Sequence, residues 1–235
     1  LGGGTAITSV NLVFQTVTGA ATISGTLANS AFNSITINNG QTVNVTGSLT
    51  NVAGASVLIN GTLSNSGTLL ANAGSITVTG TINNSGTVTG SPANLSFASG
   101  ATYIHNRNGG SVPSSTWDAA SSCNISGLTN TALTGGLTQT FGNLTISCAG
   151  LTAPMTLTLT GAMIIQGNFI LQGTSPANTL AMAPAANNLT IAGTTLIDSY
   201  GEFRDAIAGG VNTFTGDITV NGLWNNSNNP VFAIG

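Results

Sequence analysis

Short alternating segments recur at nearly constant spacing along the first hundred residues, and this repeat restricts the fold more than any other feature. In each segment Val, Ile, Leu or Phe alternates with Ser, Thr or Asn, as in strands with one buried face. Gly or Asn follows every few positions and interrupts any helical turn. The four clearest copies start 22, 19 and 19 residues apart: Ser34-Ile35-Thr36-Ile37, Ser56-Val57-Leu58-Ile59, Ser75-Ile76-Thr77-Val78 and Asn94-Leu95-Ser96-Phe97.

Two further series of segments lie within the same period. Two or three strands per repeat predict an all-β, single-domain parallel β-solenoid (β-helix) with about 19–22 residues per coil. We expect Val, Ile and Leu to point inward, and Thr, Ser and Asn to point outward or form ladders at corners. A β-sandwich is the alternative, but the strands of a sandwich do not usually recur in groups of three with a constant period. The second series is Gly25–Asn29, Gly47–Asn51, Gly61–Asn65 and Gly80–Asn84, and the third is Gly67–Leu69 and Gly86–Val88.

The alternation continues beyond one interruption, so we expect residues 1–235 to form one elongated domain. Residues 1–15 are interpreted as a terminal strand that contacts other subunits. The pattern stops over residues 103–122, which we interpret as a loop excursion from the coil. The side chains that we expect to contact a ligand from this loop are Tyr103, His105, Arg107 and Trp117.

Charged residues make up only 3% of the chain, with two basic and five acidic residues and a net charge of -3. Nucleic acid is therefore an unsuitable partner, because binding its backbone requires several Lys or Arg residues. Polar residues interrupt every apolar run, which argues against a membrane span. The low charge also means little repulsion between copies of the molecule.

Both ends of the sequence have the pattern of strands without the charged residues that usually protect a sheet edge. We expect them to add to the open end of a neighbouring copy by β-augmentation, which gives a head-to-tail contact. The partner predicted in this way is the protein itself, as a homopolymer. The predicted assembly residues are Ile7, Val10, Leu12, Phe14, Val231, Phe232 and Ile234.

Cys123 and Cys148 are the only cysteines in the sequence. A pair of cysteines in a chain without lysine suits one disulfide in an oxidising, extracellular or cell-surface location. Two buried free thiols are the alternative.

Candidate catalytic groups are few, and we expect no enzyme activity, cofactor or metal. The densest acidic group is Asp198, Glu202 and Asp205, with Arg204 among them, and an acid pair or Ca²⁺ site there is the alternative for a polysaccharide-active enzyme. His105 is the only histidine and therefore the one available member for a catalytic triad. Stacked Thr-x-Thr pairs, as at Thr87 and Thr89, favour ice binding as a further alternative.

A module over about residues 94–150 resembles one in long secreted surface proteins of Gram-negative bacteria that carry a cleavable sorting domain for type IX secretion. The resemblance implies an exported, adhesin-like β-helical protein without assigned catalytic residues, and the sorting domain is not in this sequence. The residues that carry it are Ala101-Thr102-Tyr103-Ile104-His105-Asn106, Gly109-Gly110, Pro113, Trp117, Cys123-Asn124-Ile125-Ser126-Gly127, Phe141-Gly142-Asn143 and Cys148-Ala149-Gly150.

These features together predict a non-enzymatic, extracellular structural subunit that associates head to tail into a surface fibre or sheath. An adhesin segment that binds glycans or other cells remains the binding alternative.

Overall fold

A computed structural model of the protein describes residues 10–15, 19–29, 32–71, 73–204, 209–225 and 231–234. These residues form an all-β parallel β-solenoid of about 10 turns, with about 21 residues per coil. The predicted fold class is thus confirmed. No helix in the described part of the chain has the length and hydrophobicity needed to cross a membrane.

The chain divides into two compact units, residues 1–103 with 113–116 and residues 104–112 with 117–235. The expectation of one elongated domain stays a prediction. The strands of the first unit are β1 (Val10–Phe14), β2 (Ala21–Ile23), β3 (Thr26–Ala28), β4 (Phe32–Ile37), β5 (Thr42–Val45), β6 (Ser48–Asn51), β7 (Ser56–Ile59), β8 (Thr62–Asn65), β9 (Thr68–Ala71), β10 (Ser75–Val78), β11 (Thr81–Asn84), β12 (Thr87–Thr89) and β13 (Leu95–Phe97).

Three strands form each of the four complete coils of the first unit, and equivalent strands of successive coils pair in parallel. The three sheets have the orders β1-β4-β7-β10-β13, β2-β5-β8-β11 and β3-β6-β9-β12. Two short strands, β14 (Thr102–His105) and β15 (Thr116–Trp117), each include residues of both units.

The second unit repeats the arrangement with longer connections. Its sheets have the orders β16-β18-β21-β24-β27, β17-β20-β23-β26-β29 and β19-β22-β25-β28. The strands are β16 (Ser122–Ile125), β17 (Thr140–Phe141), β18 (Asn143–Ser147), β19 (Met155–Thr158), β20 (Met163–Ile165), β21 (Phe169–Gln172), β22 (Leu180–Ala183), β23 (Leu189–Ile191), β24 (Thr195–Ile197), β25 (Gly201–Arg204), β26 (Val211–Phe214), β27 (Ile218–Val220), β28 (Leu223–Asn225) and β29 (Val231–Ile234).

The predicted tetrapeptide repeat is a column of stacked strands. Ile35 pairs with Val57, Val57 with Ile76 and Ile76 with Leu95, and all four side chains are buried. The second predicted series combines strands of two different sheets. Gly47–Asn51 contains β6, which stacks on β9 of the third series, whereas Gly61–Asn65 contains β8.

Asparagine side chains form ladders between coils, as expected, but they do so inside the core rather than on the outer face. Asn51, Asn65 and Asn84 each end a strand, Asn29 directly follows β3, and all four are at most 1% exposed. Their amides bond along the solenoid axis: Asn29 donates to Asn51, and Asn65 Nδ2 donates to Asn84 Oδ1 at 2.7 Å. Such bonds satisfy polar groups that would otherwise be costly to bury, although Asn51 Nδ2 and Asn65 Oδ1 have no hydrogen-bond partner among the described residues.

Candidate functional site

Part of the predicted loop excursion is strand: residues 103–105 belong to β14, residues 116–117 to β15 and residue 122 to β16, so residues 106–115 and 118–121 lack a named strand. Tyr103 is fully buried, with its hydroxyl 3.0 Å from Asn84 Nδ2. Trp117 is 5% exposed and donates from Nε1 to Gln139 Oε1 at 3.1 Å. These two side chains belong to the core, so their predicted role in surface contact with a ligand does not fit their burial.

His105 is also in the core, and only Arg107 of the four predicted ligand-contact residues is partly exposed. His105 Nε2 donates a hydrogen bond to the Gly109 carbonyl oxygen, which lies 2.8 Å away in the connection after β14. Burial lowers the pKa of His105, and the nearby charge of Arg107 acts in the same direction, against the opposing effect of the Gly109 bond. The imidazole is therefore neutral in the folded protein at neutral pH, and it acts as a hydrogen-bond donor in the core.

We expect the stability of the fold to decrease as the pH falls below 6.5, the ordinary pKa of histidine. In that range the unfolded chain binds a proton at His105 that the folded chain excludes, which costs up to about 1.4 kcal/mol per pH unit. Urea unfolding at several pH values between neutral and mildly acidic will measure the effect. His105→Gln should flatten the pH dependence, and an unchanged slope in this variant would contradict the assignment.

The predicted disulfide is wrong, because Cys123 and Cys148 are free and buried. Cys123 pairs with Leu144 across neighbouring coils, and Cys148 is four residues beyond Leu144, roughly 13 Å at about 3.3 Å per residue. A disulfide requires Cα atoms less than about 7 Å apart. Burial raises the pKa of both thiols, that of Cys148 to about 11, so neither is a reactive thiolate at neutral pH.

The predicted acidic cluster is an ion pair rather than an acid pair. Arg204 Nη2 lies 2.9 Å from Glu202 Oε2 on β25, and the hydrogen bond from Arg204 lowers the pKa of Glu202. Asp198 bonds instead to the backbone of its own turn, at Ser199 N. Asp205 lies outside the described residues. No group of three potential metal ligands occurs among the residues that the structure describes.

A cleft of about 480 Å³ lies beside this ion pair on the second unit. Tyr200 lies in the turn before β25. Its backbone φ is 60°, and the residue is 42% exposed. The next coil contributes Leu223, which is 54% exposed. The residues that line the cleft are Thr179, Ser199, Tyr200, Gly201, Glu202, Asn221, Gly222 and Leu223.

The first coil of the described chain leaves its inward side chains partly uncovered. Ile23 on β2 and Leu27 on β3 are half-buried, whereas Val45 and Leu49, their partners in the next coil, are at most 1% exposed. Among the described residues, no strand pairs with the outer edge of β2 or β3. This coil therefore presents apolar side chains on the side that no described strand covers.

The last described coil, in the second unit, also leaves inward-facing apolar side chains partly exposed. Val220 on β27 is 42% exposed, although Ile197, to which it pairs, is fully buried. Trp224 on β28 is half-buried, while its partner Phe203 is fully buried and 4.7 Å away between ring centroids. No described strand pairs with the outer edge of β27 or β28.

The predicted assembly residues lie in β1 and β29, apart from Ile7, which is outside the described residues. Leu12 and Phe14 are half-buried. For Val10, Val231, Phe232 and Ile234 the strands are described but the burial of the side chains is not. Sequence reasoning missed Ile23, Leu27, Val220 and Trp224, because they have the same alternating pattern as core residues of inner coils.

The Thr-x-Thr pair of β12 does not stack on a second such pair. Thr87 pairs with Thr68, but Thr89 pairs with Leu70. A column of single threonines does occur at Thr42, Thr62 and Thr81. The strand register supports ice binding less than the Thr-x-Thr pattern of the sequence does, and ice binding stays a prediction.

No protein-family model, curated protein or solved structure is significantly similar to this chain. The resemblance to type IX surface proteins therefore stays a prediction, and function is argued from the residues themselves.

Proposed function

We propose that this protein is a non-enzymatic structural subunit that associates with copies of itself, head to tail, into an extracellular fibre or sheath. The observation that carries the proposal is the exposure of inward-facing apolar side chains in the first and last described coils. Ile23 and Val220 represent the two surfaces. Each would lose its exposure if a strand of another copy stacked on it in parallel.

The character of the two surfaces supports contact between copies. Residues 10–31 contain no charged residue, and residues 209–235 contain only Asp217. Two apolar surfaces that together contain one charged residue, and strand edges that no described strand pairs with, associate without charge repulsion and without the protection that Lys gives to sheet edges. Because the two surfaces differ, their contact is heterologous and continues from copy to copy. The location outside the cell rests on the sequence resemblance alone.

Sedimentation velocity and negative-stain images of the purified chain will test the proposal. We expect polymers whose length grows with concentration. Ile23→Lys and Val220→Lys should each abolish them, since a lysine buried without a partner weakens the contact by at least about a hundredfold. Ile164→Lys is the matched control, because Ile164 is also 42% exposed but points outward from β20, between β17 and β23.

Mixing the two variants distinguishes a head-to-tail contact from a symmetric one. Each variant retains one intact surface, and the intact surfaces are complementary, so the mixture should form dimers and no longer species. Wild-type protein that stays monomeric at all concentrations would overturn the proposal. So would dimers of either variant alone, which would indicate contact between identical ends.

A further inference from the structure

The cleft beside Tyr200 combines an apolar platform with polar groups. Tyr200 and Leu223 present exposed apolar surface, and Thr179, Ser199 and Asn221 contribute hydroxyl and amide groups. Its volume of about 480 Å³ is within the range of small-molecule sites in proteins. The cleft is therefore large enough for a small ligand that has both apolar and hydrogen-bonding faces.

Glu202 provides a fixed acceptor at this cleft. Arg204 Nη2 donates to Oε2 at 2.9 Å and Asn225 Nδ2 donates to Oε1 at 3.2 Å. Arg204 is positioned in turn by a bond from Nη1 to Thr156 Oγ1 at 3.1 Å. A carboxylate has about four acceptor sites, so further donors can still bind to it.

The charges beside the cleft favour an uncharged ligand. Glu202 and Arg204 form an ion pair without net charge, so they attract neither an anion nor a cation strongly. A ligand with several hydroxyl donors satisfies Glu202 without bringing a charge. The apolar faces of a sugar ring suit the exposed ring of Tyr200.

The backbone positions Tyr200 in a conformation that its side chain disfavours. A φ of 60° costs a residue other than Gly roughly 1 kcal/mol or more, and such residues concentrate at functional sites. Hydrogen bonds hold the turn, from Gly201 N to the Asp198 carbonyl at 2.9 Å and from Leu180 N to the Tyr200 carbonyl at 3.0 Å. Tyr200 is thus a pre-organised platform.

From this arrangement we propose that the cleft is a binding site for neutral saccharides, with the Tyr200 ring as the platform and Glu202 as acceptor of sugar hydroxyls. Glu202 is the one carboxylate among the described residues that line the cleft. Glycoside hydrolysis ordinarily uses two carboxylates, so the site binds sugar without cleaving it.

Titration calorimetry with cellotriose, maltotriose and triacetylchitotriose, and with trigalacturonate as the charged probe, will test the site. We expect millimolar binding of at least one neutral trisaccharide and weaker binding of trigalacturonate. Tyr200→Gly should weaken binding about tenfold or more by removing the platform. Its melting temperature should stay unchanged or rise, because glycine adopts the left-handed backbone without strain.

Val211→Ala is the control variant, since Val211 is 37% exposed on the same unit and does not line the cleft. It should bind like the wild type. Failure of all three neutral trisaccharides to bind, or wild-type affinity in Tyr200→Gly, would overturn the proposal. Tighter binding of trigalacturonate than of every neutral probe would also overturn it.

Discussion

Replacing Gly67 with alanine is expected to lower the free energy of unfolding by more than about 3 kcal/mol. A Cβ atom at Gly67 would lie 2.0 Å from the carbonyl oxygen of Gly47 in the preceding coil and 2.7 Å from backbone atoms of Thr46. Both contacts are with backbone, so no side chain can rotate away. The backbone bond from Thr68 N to the Gly47 carbonyl oxygen, 2.8 Å long, ties the coils together at this point.

Gly25→Ala is the matched control for this substitution. Gly25 precedes β3 as Gly47 precedes β6 and Gly67 precedes β9, but a Cβ there has no atom within 4 Å and its φ is not in the left-handed region. Alanine should be neutral or stabilise the fold by up to about 1 kcal/mol, because it restricts the unfolded chain. Denaturant unfolding followed by circular dichroism will compare the two. Equal stability of both variants would show that the coils can move apart without cost.

The second large effect is expected at Asn84 in the core. Asn84→Leu should cost about 3 kcal/mol, since it removes the shortest of the acceptors of Asn65 Nδ2 and a donor to the Tyr103 hydroxyl. Both partners are at most 1% exposed, so water cannot replace the lost bonds without entering the core. Adding Tyr103→Phe to Asn84→Leu should recover part of the loss, because the buried hydroxyl is then also absent.

Asn83→Leu is the control, because Asn83 is next to Asn84 on the same strand but alternates to the outer face. Its Oδ1 has no hydrogen-bond partner among the described residues, so the substitution should change the free energy of unfolding by less than about 1 kcal/mol. Urea unfolding of the single and double variants gives the coupling energy. A loss at Asn83 as large as that at Asn84 would contradict the importance of the amide bonds.

The alternating pattern of side chains was sufficient to predict the solenoid. Ile35, Val57, Ile76 and Leu95 have the same place in four successive repeats, and parallel pairing puts them in one column. The sequence was insufficient where similar segments belong to different sheets. Gly47–Asn51 and Gly61–Asn65 both end in a buried Asn, so their likeness concealed that β6 stacks on β9.

The candidate sites were less predictable than the fold. Tyr103, His105 and Trp117 stood out as unusual residues in an irregular segment, yet all three are buried in the core, where each side chain makes a hydrogen bond. The cleft at Tyr200 brings together residues from three successive segments, around Thr179, Glu202 and Leu223. The spacing of the alternating segments is less regular in this half of the chain, so the sequence alone did not show that these three segments stack side by side.

The sequence by itself determined the parallel solenoid, the length of its coil and its low charge, because alternation and period are local properties that every coil repeats. Only the tertiary structure decided which asparagines are buried, that Cys123 and Cys148 are too far apart along neighbouring strands to bond, and that Val220 is exposed where Ile197 is buried. The physical reason is that burial depends on the coil stacked above or below. The same apolar strand is core inside the stack and an exposed surface at its end.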